Sequence, residues 1–266
     1  MFELFEALEE TMEKQKEEET QTEKEISYSA ENEKIFVVSV GGSAIVKEKI
    51  DTVLIAKLAS LFDELFSNER KFVIVVGGGK LARDYVAAAK TLGASNFSLD
   101  EIGIKATRIN AKLFIEALNN AYPEVCTNIK DSKKIIGINK IPVFGGLMPG
   151  FTTDAVSALI AEFLNATFVN LSNVDGIYNK NPKEYSDAVR YETLNHTELI
   201  RIIAKSTALA ANPSQNVILD LPCALILARS KIPCHVTSAF DLENLRNLFL
   251  GREFKGTKII SEENKL

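Results

Sequence analysis

The chain has 266 residues, of which 46% are hydrophobic and 25% charged, a balance that allows a sizeable core and excludes a disordered or fibrous chain. The net charge of −5 is uneven, because residues 1–33 hold twelve Glu and three Lys and leave +4 for residues 34–266. This mildly basic body has no Lys/Arg stripe, so we expect small phosphates rather than a nucleic acid as its ligands.

Residues 1–33 are interpreted as an acidic extension. Apolar residues recur at helical spacing from Met1 to Met12, and a purely polar stretch follows, which predicts a short amphipathic helix and a linker. Two roles stay open, a solvated tail and an arm that docks on a neighbouring subunit. Catalysis should not require either.

The cysteines and the hydropathy indicate the compartment. Cys126, Cys223 and Cys234 are odd in number and lack C-x-x-C spacing, which argues against a disulfide framework and against structural zinc. No apolar run approaches the roughly 18 to 20 residues of a membrane span, and the N-terminus is acidic where a signal peptide would be basic. We therefore expect a cytoplasmic protein with reduced cysteines and no membrane partner.

From residue 35 onward, short apolar runs alternate with helical patterns. Strands are predicted at residues 35–40, 72–76, 141–144, 167–171 and 234–236, and helices at 51–65, 80–92, 154–164 and 219–228. This alternation predicts an α/β fold in three layers, with a mostly parallel central sheet and helices on both faces. Ligands should gather where loops leave the carboxyl ends of the strands.

Two of these strands end in glycine turns. The first is followed by Gly41-Gly42-Ser43, and the second by Gly77-Gly78-Gly79 with Lys80 and Arg83 close behind. Such turns let backbone N–H groups approach phosphate oxygens at a helix N-terminus. A tight strand-to-helix connection would also explain the first pair, whereas three glycines followed by two cations favour phosphate. Neither turn fits the P-loop or Rossmann fingerprint.

Two later segments also follow predicted strands. Residues 145–154 read GGLMPGFTTD, in which Thr152, Thr153 and Asp154 offer hydroxyls and a carboxylate at a helix start, although a cap without a ligand would explain them too. Residues 172–178 read SNVDGIY and run on to Asn181-Pro182, which predicts a turn that can hold a ribose or a purine.

In this order, the four elements resemble those of the amino acid kinase family and, within it, the archaeal-type uridylate (UMP) kinases. The resemblance covers about residues 34–261 and is closest at 41–43, 77–83, 100–111, 145–154, 173–178 and 219–229. It implies transfer of the γ-phosphoryl group of ATP to UMP, with Mg²⁺ accompanying ATP, in a homohexamer. It also implies an acceptor lobe at 34–165 and an ATP lobe at 166–266, built on one continuous sheet.

The resemblance also implies roles for individual residues. Those that would bind UMP are Gly78, Asp100, Leu147, Met148, Pro149, Gly150, Phe151, Thr152 and Thr153. Those that would bind ATP are Gly42, Ser43, Gly79, Arg83, Ser172, Asn173, Tyr178 and Asn181. Catalysis would rest on Lys80, Arg83, Asp154 and Asp220, and no protein residue is assigned as a metal ligand. Helix capping or turn formation would also explain Asp100 and Asp220.

Two positions depart from the family pattern. Many relatives place a lysine two residues before the first glycine pair, where this chain has Ser39, so Lys80, Arg83 or Lys47 must meet the phosphate charge. Asn181 stands where relatives often carry an aspartate, which puts ATP affinity in question. His196 and His235 fall in no catalytic pattern, and we expect solvated or capping roles for them.

Two other functions stay open. The same fold can phosphorylate an amino acid, carbamate or isopentenyl phosphate, although the isopentenyl phosphate kinases use a histidine near the acceptor and none occurs here before His196. A non-catalytic nucleotide-binding protein similar to the molybdenum storage proteins is the other. The intact loops argue for turnover, and an anionic acceptor phosphate requires no general base.

Overall fold

The computed structural model describes residues 34–208 and 218–261, so the helix and linker predicted for residues 1–33 lie outside the described residues. From Ile35 onward the chain forms one compact unit. No helix in the two described ranges is long and apolar enough to cross a membrane.

The elements follow each other in the predicted alternation. The strands are β1 (Lys34–Val40), β2 (Arg70–Val76), β3 (Ala121–Cys126), β4 (Ile141–Phe144), β5 (Thr167–Ser172), β6 (Thr193–Asn195), β7 (Cys234–Ser238) and β8 (Thr257–Ile260). The helices are α1 (Gly42–Ile45), α2 (Thr52–Leu65), α3 (Gly79–Thr91), α4 (Asn96–Ala117), α5 (Asp131–Gly137), α6 (Thr153–Leu164), α7 (His196–Ala208), α8 (Leu221–Arg229) and α9 (Leu242–Phe249).

All eight of these strands form one sheet, in the order β3-β4-β2-β1-β5-β7-β8-β6. β1 pairs with β5, β5 with β7, β2 with β4, β3 with β4 and β6 with β8 in parallel, whereas β7 and β8 are antiparallel. The mostly parallel sheet with helices on both faces confirms the predicted fold class.

Alternation along the strands sorts side chains onto two faces of the sheet. In β1, Phe36, Val38 and Val40 join the core beneath α2, α4 and α9. Val37 joins the core on the opposite face, beneath α6, α7 and α8. Because side chains in a strand point to alternate faces, Ser39 lies on the α6 side with Val37.

The cysteines and histidines are structural. The three cysteines are buried free thiols, as predicted. Of the solvated or capping roles expected for the histidines, a solvated role is wrong for His196, which is buried with its ring Nε2 2.9 Å from the carbonyl oxygen of Ile232. His235 packs edge-on against Phe254 with ring centroids 5.2 Å apart. Both therefore belong to the packing of the sheet rather than to a cleft.

Candidate active site

The two glycine turns interlock at the carboxyl ends of neighbouring strands β1 and β2. The Gly77 amide donates to the Val40 carbonyl over 3.0 Å, which sets the turns side by side. A Cβ added to Gly42 would lie 2.1 Å from the Gly79 nitrogen, a contact that no side chain allows. Gly79 itself has a φ of +59°, in the region that favours glycine. These positions therefore require glycine for both space and conformation.

Helix α3 begins inside this pair of turns. Its N-cap residue, Gly78, has no side chain to satisfy the first N–H groups of the helix. The buried amide of Asn110 donates to the carbonyls of Gly77 and Gly78 over 2.9 and 3.0 Å, which turns those carbonyls away from the cleft. The Lys80 amide is already bonded to the Val46 carbonyl over 3.0 Å. The Gly79 amide at the positive end of the helix dipole remains open and suits a phosphate group.

The third glycine segment is held by α4. The Gly146 amide donates to the Thr107 hydroxyl over 2.6 Å, and Arg108 Nε donates to the Gly146 carbonyl over 3.1 Å. About two turns earlier on α4, Asp100 Oδ2 accepts from the Gly150 amide over 2.8 Å. α4 thus fixes this loop at two points, with exposed Met148 between them and exposed Phe151 directly after the second.

A small polar cluster lies at the start of α6. Ser39 Oγ and Asn170 Nδ2 donate to the same oxygen, Asp154 Oδ1, over 2.7 and 2.9 Å. Ser39 and Asn170 are cross-strand partners in the β1–β5 register, and both are buried. The sheet therefore presents two hydrogen-bond donors to one carboxyl group.

The surroundings of Asp154 change its acidity. Burial raises the pKa of its carboxyl to about 7, and the negative charge of Asp220 acts in the same direction. The hydrogen bonds from Ser39 and Asn170 favour the charged form and oppose that rise.

Asp220 joins α8 to the loop before α6. Its Oδ1 accepts from the Cys223 amide over 2.7 Å and caps α8, while its Oδ2 accepts from the Thr152 hydroxyl. Thr152 Oγ1 in turn accepts from the Ala155 amide over 3.2 Å and caps α6. The structure therefore brings Asp220 to Thr152 and Asp154, from which it is distant in sequence.

The loop after β5 closes on its own side chains. Tyr178 OH donates to Asp175 Oδ1 over 2.7 Å, and Asp175 Oδ2 also pairs with Lys255 at 2.8 Å and Arg190 at 3.2 Å. The Ser172 hydroxyl spans a turn, accepting from the Val174 amide over 3.1 Å. This clamp fixes the ring of Tyr178 above the end of β5.

Two residues of this region contribute less to a shared site. Asn173 is exposed and is held by no side-chain hydrogen bond to the described residues. Asn181 lies in a separate turn, where Nδ2 donates to Glu184 Oε1 over 2.7 Å and Oδ1 accepts from the Lys183 amide over 3.1 Å. These two bonds hold Asn181 within its own turn.

Three cations follow the glycine turns. Lys80 Nζ pairs with Asp84 at 2.6 Å one helical turn along α3. Arg83 is exposed, and its guanidinium forms no hydrogen bond or ion pair within residues 34–208 and 218–261. Lys47 Nζ lies 4.4 Å from the centroid of the Phe240 ring. Of these three, Arg83 is the cation free to meet an incoming anion.

Sequence reasoning missed several residues that organise the site, namely Thr107, Arg108, Asn110 and Asn170. The first three lie within the stretch 100–111, but nothing in their spacing names the loops that they hold. Asn170 carried a signal, because an amide interrupts the otherwise apolar run of β5. A polar residue in such a strand requires a partner, and that partner is Asp154.

Comparisons with known proteins agree with this geometry. The sequence model of the amino acid kinase family matches residues 34–238. The uridylate kinase of Archaeoglobus fulgidus is 41% identical over 201 residues, which cover 75% of this chain and 89% of that protein. The uridylate kinase of Pyrococcus abyssi is 40% identical over 226 residues, which cover 84% of this chain and 98% of that protein.

Solved structures show the same fold. The crystal structure of uridylate kinase from Archaeoglobus fulgidus superposes with a TM-score of 0.74 at 38% identity, covering 84% of this chain and 99% of that one. UMP kinase from Bacillus anthracis superposes with a TM-score of 0.72 at 21% identity, covering 86% of this chain and 96% of that one. At that lower identity the likeness concerns the fold alone.

Proposed function

The chain belongs to the amino acid kinase family, and from that premise we propose that it is a UMP kinase. It transfers the γ-phosphoryl group of ATP to UMP and releases UDP and ADP, a step of pyrimidine nucleotide synthesis. The observation that carries the proposal is the loop 145–152, held by Asp100 and Thr107 of α4, which also supports the phosphate turns through Asn110.

UMP would lie between that loop and α4. The Asp100 carboxylate uses Oδ2 for the Gly150 amide, which leaves Oδ1 to accept from the ribose hydroxyls. The surrounding loop, residues 147–153, would enclose the base, and Gly78 at the start of α3 would face the nucleotide's phosphate. Asp100 thereby performs two tasks, fixing the loop and orienting the sugar.

ATP would lie over the carboxyl ends of β1 and β5. Gly42, Ser43 and Gly79 would approach its phosphates through backbone N–H groups. The loop of Ser172, Asn173 and Tyr178 would hold its ribose and base, because nucleotides in parallel sheets bind beyond the strand ends. The Asp175 clamp supports this role by holding the Tyr178 ring in one orientation.

Transfer then depends on alignment and charge. The UMP phosphate oxygen is already anionic, so attack on the γ-phosphorus requires no base. Arg83 and Lys80 would offset the negative charge of the transferring group, and Lys80 would leave Asp84 to do so. The Asp154 carboxylate would hold those cations in place, and Asp220 would fix the acceptor loop through Thr152.

Mg²⁺ is the expected companion of ATP, and when bound it neutralises phosphate charge. In this structure Asp154 Oδ1 receives two protein donors, whereas Oδ2 receives none from the described residues. A carboxylate with one open oxygen fits the water shell of a hydrated Mg²⁺, which usually keeps several waters. The residues present therefore fit the ion through water rather than as direct ligands.

The remaining expectations join the proposal. We retain the acceptor lobe at 34–165, the ATP lobe at 166–266, a cytoplasmic location and a homohexamer. Apolar side chains that are exposed on α3, on α4 and between them support self-association, with exposed fractions of 62% for Tyr85, Phe97 and Ile109 and 87% for Leu92.

The acceptor is tested by a coupled ADP-release assay with Mg-ATP. The acceptors are UMP, CMP, dUMP, acetylglutamate, carbamate and isopentenyl phosphate, each compared with ATP alone. We expect turnover with UMP. Turnover with a different acceptor would reassign the substrate, and ATP binding without transfer to any of them would favour a storage or regulatory protein.

A further inference from the structure

We propose that Asn170 is a positioning residue of phosphoryl transfer, which together with Ser39 fixes the orientation of the Asp154 carboxyl group at the start of α6. This inference rests on the proposed kinase function and deepens it. In place of a strand lysine, the sheet uses two neutral donors to hold the carboxylate.

Ser39 and Asn170 both donate to the same carboxylate oxygen of Asp154. Ser39 Oγ and Asn170 Nδ2 approach Asp154 Oδ1 at 2.7 and 2.9 Å from adjacent strands. Because Ser39 and Asn170 are opposite each other in the β1–β5 register, neither can shift without the other. Two donors on one oxygen fix the plane of the carboxyl group and direct Oδ2 away from the sheet.

Asn170 also carries an unusual cost. Its side chain is only 2% exposed, yet its Oδ1 is buried with no hydrogen-bond partner in the described chain. Buried polar atoms are nearly always hydrogen-bonded, so each exception requires an explanation. An apolar residue would pack in β5 without that cost, so the amide is explained by the one bond that it does make, to Asp154.

The charged and titratable groups around Asp154 do not favour the ionised form of its carboxyl group. Asp220 faces it from the start of α8 and disfavours its ionisation. Cys223 of α8 and Cys234 of β7 lie nearby, but burial raises the pKa of both thiols well above the usual range, so they stay neutral. No described Lys or Arg forms an ion pair with Asp154. Ser39 and Asn170 are thus the groups that favour the charged form.

The test is the pH profile of kcat for Ser39→Ala and Asn170→Leu, measured with UMP and Mg-ATP. Removing a donor to the charged form raises the pKa of Asp154, so the acidic limb should move to higher pH. A shift of about one pH unit lowers kcat roughly tenfold on that limb and little at high pH. KM for UMP and ATP should change less than kcat. The second ionisation of UMP, near about pH 6, is common to all variants and cancels in their ratios.

Ser132→Ala is the matched control, since Ser132 of α5 is equally buried and donates to the Ile129 carbonyl rather than to Asp154. Its acidic limb should coincide with that of the unmodified protein. The positioning role would be refuted if the acidic limb of the kcat profile stayed in place in both Ser39→Ala and Asn170→Leu. It would also be refuted if kcat fell by the same factor at every pH. Asn170→Asp should move the limb furthest, because it replaces a donor with a second carboxyl group.

A readout without turnover separates this inference from the kinase assignment. The ¹³C carboxyl resonance of Asp154, assigned with Asp154→Asn, reports its titration in the ligand-free protein. We expect a pKa near 7 that rises in Ser39→Ala and Asn170→Leu. Absence of UMP turnover in the unmodified protein would refute the proposed function, whereas an unchanged carboxyl titration in both variants would refute the positioning role.

Discussion

Arg83 is the residue whose replacement should affect chemistry most directly. It lies on the first turns of α3, behind the glycine turns, and its guanidinium is unpaired within the described ranges. We expect Arg83→Ala to lower kcat roughly hundredfold, as for other groups that stabilise charge in a transition state. ADP release with UMP measures it. Lys90→Ala, at the other end of α3, is the control and should keep normal turnover; near-normal turnover of Arg83→Ala would remove that arginine from the scheme.

Asp100 should control the acceptor rather than the donor nucleotide. Asp100→Ala removes the acceptor of the Gly150 amide and the expected partner of the ribose, so the loop loses its anchor. We expect KM for UMP to rise roughly tenfold or more, which corresponds to the loss of about 1.5 to 3 kcal/mol for a hydrogen bond to a charged group. KM for ATP should stay unchanged. Glu101→Ala changes the neighbouring exposed carboxylate and should leave both constants alone; a matching rise in KM for ATP would contradict the assignment.

At the scale of elements, the two glycine turns act as one unit. Gly42→Ala would force its Cβ against the Gly79 nitrogen and separate the turns. We expect ATP affinity, measured by calorimetry, to fall at least tenfold, with a lower melting temperature. Gly137→Ala at the end of α5 is the matched change, because nothing lies within 4 Å of its Cβ. It should leave ATP binding intact and stabilise the fold by about 0.5 to 1 kcal/mol. Equal ATP affinity in both variants would argue against phosphate binding by the paired glycine turns.

Prediction from sequence succeeded for elements with a strong local pattern. The five predicted strands all occur, and 141–144 has the predicted bounds, because each is an apolar run buried on both faces. β3, β6 and β8 were missed for physical reasons. β3 contains a proline and exposed residues, and β6 and β8 are only three and four residues long. Their pairing comes from neighbours rather than from their own residues.

The candidate site was likewise predicted where residues carry a local signal and missed where they act through distant partners. Glycine, threonine and aspartate at strand ends carry a local signal, and the cleft was predicted from them. Asn110 and Asn170 act only through distant partners, as does Ser39, which lies 115 positions from Asp154. No pattern along the chain identifies a hydrogen bond of that range. The individual substrate contacts stay predictions, since they concern groups that only bound nucleotides would supply.

At the scale of the whole molecule, His235 links stability to pH. Burial, helped by the charge of Lys258, lowers its pKa from 6.5 to about 4. The unfolded chain therefore takes up this proton first, and stability present above about pH 6.5 is lost as the pH falls toward 4. The loss amounts to roughly 3 kcal/mol of the free energy of unfolding. His235→Leu should lack this part of the decline in urea unfolding between pH 7 and 4.

The comparison isolates the histidine, because the carboxylates titrate alike in both proteins. The difference in free energy of unfolding between the unmodified protein and His235→Leu should shift toward the variant as the pH falls. A difference that stays constant across this range would show that the ring is protonated in the folded state without penalty.

Assembly is the other property of the whole molecule. Ile109 lies 62% exposed on α4, where a charge would disrupt an apolar interface but cost an isolated subunit little. We expect Ile109→Asp to reduce the mass measured by light scattering from that of a hexamer. Ile138→Asp is the matched change at a position 64% exposed beyond α5. A hexamer that survives Ile109→Asp as well as Ile138→Asp would move the interface elsewhere.

The interlocked turns also bear on how this scaffold can be redesigned. Gly42, Gly77 and Gly79 leave no room for any side chain, so the part that recognises phosphate offers no position at which to introduce diversity. The loop around exposed Met148 and Phe151 has open space, and its anchors lie in α4 rather than in the loop itself. A library aimed at new acceptors should therefore vary the loop around Met148 and Phe151 and keep the three glycines. Acceptor selectivity could then change while the phosphate-binding turns stay the same.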